Sequence, residues 1–241
     1  TNGRILADVV LHDPLLTLRV LTYIGSHRTQ RQTVDIATVD RAIMMIGITP
    51  FFRDFQNLPL AENQLKAHPQ ALLGLLKAIN RARRAAHWAR HWAILRRDMD
   101  VEEIMLATLL HDLPELLMWL FAPTLAIKVS ETQRAQPHQR SATIQSEIYG
   151  VPLYQLKLAL AEAWHLPTLL VQLMDHQHTE NPRVRNVKLA VDLARHSANG
   201  WSDAALPDDF AAIRDLLHLN QETLVRHLDY LDIDTTLVND L

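Results

Sequence analysis

Apolar residues recur at spacings of three and four along almost the whole of this 241-residue chain, and no segment alternates convincingly with period two. Such a pattern gives helices a face to bury and gives strands none, so the chain is read as all-α. Proline supplies the punctuation. Most of the prolines follow a polar or loop residue, where the first turn of a helix tolerates the missing N–H. A helix from about Gly3 to Leu11 comes first. Asp13-Pro14 then opens a leucine-rich helix that Gly25 is expected to close in a left-handed cap. A short helix ends at Ile46-Gly47, and Thr49-Pro50 starts another with Phe51, Phe52 and Phe55. A long alanine-rich helix is expected from about Ala71 to Arg97. Asp100 is a suitable N-cap for the next, with Glu102 and Glu103 in its first turn, where carboxylates favour the helix dipole. Later helices are read over about 124–135, 138–149, 152–164, 167–176 and 184–197, then from Pro207 and from Asn220 or Gln221. The chain is taken as one continuous domain over 1–200, with 201–241 as a helical extension packed on it.

What the chain lacks excludes several chemistries. There is no cysteine, hence no disulfide, thiolate nucleophile or cysteine-bound zinc. Six glycines form no G-x-G-x-x-G, no phosphate-binding G-x-x-x-x-G-K-[ST] loop and no G-x-S-x-G elbow. No apolar run of about 18 residues is evident and no signal peptide opens the chain, so a cytoplasmic protein without a membrane partner is expected. A net charge of −3 offers no general attraction to nucleic acid. One segment runs against that balance: Lys77, Arg81, Arg83, Arg84, Arg90, Arg96 and Arg97 follow one another with no acid between them. Such a run is either an anion-binding surface or a solvated face whose arginine stems cover the core, and the second reading is preferred.

The stretch DVEEIMLATLLHDLPELLMWLF, Asp100 to Phe121, places two strongly polar side chains, His111 and Asp112, between apolar helices. Burying such groups unpaired costs about 2–7 kcal/mol for a neutral one. Two explanations fit. Imidazole and carboxylate at a helix end suit a divalent ion such as Mn, Fe, Mg or Zn. Alternatively Asp112 caps the helix that follows and His111 bonds the end of the helix before it. His176 and His178 flank Gln177 at another helix end, and Asp192 interrupts an apolar pattern. His87 and His91 are one turn apart, a spacing fit for a metal, but no carboxylate neighbour is evident and they are read as structural. Trp88, Trp92, Trp119 and Trp164 read as core anchors.

The segment LLHDLPELLMW resembles the LLHDIGxL signature of the HD superfamily, and specifically its regulatory branch, the HDOD family. The segments ILADVVLHDPLLTLRVLTYIGS, TVDRAIMMIGITPFFRDFQNL and SEIYGVPLYQLKLALAEAWHLPTLLVQLMDHQH are similar to that family's other elements, in the same order, from Ile5 to about Ala194. The resemblance implies a compact multi-helix HD/HDOD-like bundle that signals through a protein partner or small ligand. In catalytic relatives the pattern H…HD…D holds a metal for phosphohydrolysis. Carried over, His111 and Asp112 match the central pair and Asp192 the final Asp, while His176 and His178 fall where metal-dependent relatives have further histidines. The first His has no counterpart near residues 80–82, Pro114 replaces the family glycine, and Glu115 stands where active enzymes have lysine. These departures imply a domain with no expected cofactor and no catalysis. If an ion is bound it is Mn, Fe or Mg, and the alternative function is a metal-dependent phosphohydrolase acting on a nucleotide or cyclic dinucleotide.

Overall fold

A computed structural model describes residues 3–27, 36–175 and 177–228. Among them every regular element is helical, as the periodicity requires. In chain order they are α1 (Gly3–Leu11), α2 (Pro14–Ser26), α3 (Val39–Ile46), α4 (Ile48–Phe55), α5 (Ala61–Gln64), α6 (Pro69–Leu95) and α7 (Val101–Leu109). Then follow α8 (Leu113–Phe121), α9 (Pro123–Ala135), α10 (Ser141–Tyr149), α11 (Leu153–Ala163), α12 (Thr168–Leu173), α13 (Pro182–His196), a 3-10 turn (Ser197–Asn199) and α14 (Leu206–Leu217). Residues 221–228 form a further helix, α15, whose first turn is capped by the Asn220 side chain accepting from the Thr223 N–H at 2.9 Å.

The chain divides into two compact units with interrupted boundaries. One contains the described residues up to Asn80 together with Asp112–Thr168; the other contains Arg81–His111 and the described residues from Leu169 onward. The described part of 201–241 belongs to this second unit. In the first unit α1, α2 and α3 pack on one another, and α8 packs against α9 and α11. Its core includes Leu65, Ala71, Leu75, Ala78 and Leu116, with Leu15, Trp119 and Ile127 packed around them. In the second unit α13 lies against both α7 and α14, burying Val187, Ala190, Leu193 and Ala194 from its apolar stripe. Trp88 and Trp92, a turn apart on α6, are fully buried, as expected of core anchors.

Local chemistry explains most of the ends. Asp13 accepts from the Leu15 and Leu16 N–H groups at 2.8 and 3.2 Å and so caps α2, with Pro14 in its first turn. Gly150 takes the left-handed conformation that ends α10.

Three expectations are corrected. Gly25 does not close α2: the helix continues through it to Ser26. A Cβ at Gly25 would lie 3.0 Å from the carbonyl oxygens of both Trp164 and His165, so the glycine is there for close approach to the turn after α11. Asp100 stands at the N-cap position of α7 but makes no capping bond. Its carboxylate pairs instead with Arg183 on α13, which also lies 4.0 Å from Asp98. Finally, Val101–Phe121 is apolar and long enough by composition to cross a membrane. It is broken in two, however, by the turn at 110–112. Each half is a nine-residue helix, about 14 Å long against roughly 30 Å of hydrocarbon.

Candidate functional site

The turn between α7 and α8 places the His-Asp pair. α7 ends at Leu109, and the His111 N–H donates to the Thr108 carbonyl at 3.2 Å. The Asp112 carbonyl accepts the first intrahelical bond of α8, from the Leu116 N–H at 3.2 Å, and Pro114 occupies the first turn. Both side chains are half-buried. The Asp112 carboxylate does not cap the helix it precedes. The capping explanation for this residue is therefore removed. The boundary between the two compact units falls between His111 and Asp112.

On the Asp112 side, α8 carries Glu115 in its first turn and packs against α11. Burial, with the negative charge of Glu115 adding to it, pushes the Tyr149 phenol well above its usual range. Lys157 on α11 is only 4% exposed, and its ammonium lies 5.8 Å from the centroid of the Tyr154 ring. Neither Tyr149 nor Lys157 was singled out by the sequence reading. The available signal was Lys157 itself, a single cation within the apolar run Leu153–Ala163.

On the His111 side, Asp192 forms an ion pair with Lys188, one turn earlier on α13. A turn later on the same helix, His196 Nδ1 lies 2.6 Å from Asp209 Oδ2 on α14. Burial raises the Asp209 carboxyl above its ordinary pKa, the His196 hydrogen bond opposes that rise, and the charge of Asp192 adds to it. Lys188, Asp192, His196 and Asp209 thus form one electrostatic cluster, of which the sequence reading found only Asp192.

His178 lies in an exposed loop, with Nδ1 3.1 Å from Glu180 and Nε2 3.7 Å from Asp175. His176 is outside the described residues. Among the described residues no group of three or more His, Asp or Glu side chains is arranged to hold a metal ion. Of the candidate ligands, Asp192 is paired with Lys188, and His178 faces two loop carboxylates.

Three residues of the basic run from Lys77 to Arg97 are engaged within the fold. The Arg84 guanidinium lies 4.6 Å from the Trp88 ring and 5.2 Å from that of Trp201. Arg90 bonds Glu102 at 3.3 Å, and Arg96 donates to the Pro182 carbonyl at 2.6 Å.

Among the described residues every regular element is helical, and a His-Asp turn joins two apolar helices. The HDOD domain model matches residues 1–180, and the chain belongs to the HDOD domain family. No curated protein matches the sequence. Two solved structures share the fold. The MmoQ response regulator of Methylococcus capsulatus str. Bath aligns with a TM-score of 0.69 at 18% identity, covering 95% of this chain and 90% of that one. An HDOD domain protein of unknown function from Geobacter sulfurreducens aligns with a TM-score of 0.52 at 18% identity, covering 98% and 84%.

Proposed function

We propose that this chain is a signalling HDOD domain that acts by binding a protein partner or small ligand and does not hydrolyse phosphoesters. The observation that carries the reading is Asp192. Metal-assisted hydrolysis needs a set of anionic and neutral donors that fixes the ion and leaves a position for water. The carboxylate expected to complete that set is paired with Lys188. Glu115, where active relatives have lysine, adds a negative charge beside Tyr149 where a transferred phosphoryl group would favour a cation. The shared fold of a response regulator supports placing the domain in signal transduction.

The test is phosphodiester hydrolysis by the purified chain, with bis-p-nitrophenyl phosphate and a cyclic dinucleotide as substrates, supplemented in turn with Mn, Fe and Mg. No turnover above the buffer rate is expected, and His111→Ala and Asp112→Ala leave that result unchanged. Metal-dependent turnover that disappears in both variants, while each retains its helical circular dichroism, sinks the reading in favour of a phosphohydrolase.

A further inference from the structure

His91 on α6 and His227 on α15 take no part in the His-Asp turn or in the Asp192 cluster, yet they meet across 136 residues of chain. The Nε2 of His91 lies 3.1 Å from the Nδ1 of His227, and both residues are half-buried. The ring centroids are 5.0 Å apart with the planes tilted by 52°, so the contact is nitrogen to nitrogen and not a stack. At that distance one imidazole donates an N–H, and the other must keep a lone pair to accept it. Both residues belong to the second compact unit.

The helix over 221–228 makes about two turns, and a helix so short is not stable by itself in water. It is ordered by the face it buries. Leu224, His227 and Leu228 follow the i, i+3, i+4 spacing, and the two leucines are 0% and 4% exposed. Val225 and Arg226 are exposed. His227 is thus the polar member of an otherwise apolar docking face. The charged groups around the pair come from three elements. His87 stands one turn before His91 on α6, Arg90 bonds Glu102 of α7, and Arg226 of α15 pairs with Glu222. From α13 this part of α6 meets the uncharged Asn186, whose amide donates to the Ala89 carbonyl at 3.2 Å.

We propose that the His91–His227 bond is an acid-released latch, which keeps α15 on α6 near neutral pH and frees it when both rings are protonated. Two neutral rings share one N–H···N bond, and a single added proton leaves it intact, since one lone pair remains. A second added proton removes the last acceptor and sets two cations 3.1 Å apart in a half-buried site. Burial lowers the His91 pKa below its ordinary value, and the charges of His227 and His87 lower it further. Freed from α6, both imidazoles take up protons near their ordinary pKa of about 6.5, whereas the docked pair holds one fewer. Docking is therefore complete above about pH 6.5 and weakens as the pH falls below it. Release bares Leu224 and Leu228. The latch is independent of the signalling reading and stands or falls separately from it.

The experiment is amide hydrogen exchange of the full chain, followed by NMR at about pH 7.5 and about pH 5.5, either side of the ordinary imidazole pKa. Rates are corrected for the intrinsic pH dependence of exchange. The Leu224 and Leu228 amides are expected to lose protection by about three- to tenfold at the lower pH, the upper bound being what one proton on an ordinary imidazole supplies. The Leu106 amide on α7 keeps its protection. His91→Gln and His227→Gln each flatten the pH dependence, while His218→Asn, at the exposed left-handed end of α14, preserves it. Should a variant fail to fold, the ring nitrogens of His91 and His227 are followed in the wild-type chain. Their titration is then expected to share its midpoint with the loss of α15 protection. Protection of α15 that is equal at the two pH values overturns the proposal. So does a loss that persists undiminished in both glutamine variants, or rings that titrate while α15 stays protected.

Discussion

Asp54 shows what a single side chain gains from its neighbours. Arg53 Nε lies 2.6 Å from one carboxylate oxygen, and the Tyr23 hydroxyl donates to the other at 2.7 Å. These hydrogen bonds, Arg53 first, lower its pKa from 3.8 to about 2. A depressed carboxylate contributes stability that is fully present above its unfolded pKa and is lost as the pH falls through the folded one. The window here runs from 3.8 down to about 2. Asp54→Asn is expected to be less stable than the wild type at about pH 5, with the gap closing as the pH approaches 2. Carbon-13 NMR of the Asp54 carboxyl gives the direct check, and a midpoint near 3.8 contradicts the assignment. Gly74 tells a steric story at the same scale. A Cβ there would lie 2.6–2.7 Å from three carbons of the Trp119 ring. Gly74→Ala is expected to destabilise by about 1–3 kcal/mol despite its better helix propensity. Urea unfolding measures it, and Trp119→Leu in the same chain should restore part of the loss.

Between elements, individual hydrogen bonds fix how neighbouring helices meet. Thr17 on α2 is fully buried, and its hydroxyl donates to the Val10 carbonyl of α1 at 2.8 Å. That carbonyl also accepts from the Asp13 N–H at 3.1 Å, so Thr17→Val keeps the shape and removes one of its two bonds, and a loss of about 0.5–1.5 kcal/mol is expected in thermal or denaturant unfolding. An unchanged midpoint would mean that the Asp13 N–H alone satisfies the carbonyl. At the start of α7 ion pairs tie neighbouring elements together: Arg183 of α13 pairs with Asp100, and Arg96 lies 3.6 Å from Asp98. Arg97 precedes this group with a φ of 57°, a left-handed conformation that only surrounding structure sustains in a residue with a side chain.

For the whole molecule, the net charge of −3 offers no general attraction to nucleic acid, and that expectation can be tested directly. Fluorescence anisotropy with labelled DNA and RNA oligonucleotides at about 50 mM salt is expected to show no micromolar binding. Affinity that falls steeply with added salt and drops in Arg83→Ala, Arg84→Ala and Arg90→Ala would reverse that conclusion.

The sequence by itself determined the helices, most of their ends and the His-Asp turn, and its motif order, from Ile5 to about Ala194, pointed to the HDOD family, whose domain model matches residues 1–180. These features rest on interactions within a few residues: apolar period, proline at a first turn, Asp13 capping α2 and Gly150 ending α10. Partner choice across the chain was another matter. Only the tertiary structure showed that Gly25 meets a carbonyl pair near residue 165, that Asp100 turns from its own helix to Arg183, and that Lys157 is buried on α11. The physical reason is range. A cap or a periodic stripe is decided by nearest neighbours along one helix, whereas a charge or an imidazole takes whichever group packing brings within hydrogen-bond reach. His91 and His227, adjacent in space and 136 residues apart in sequence, are the clearest instance.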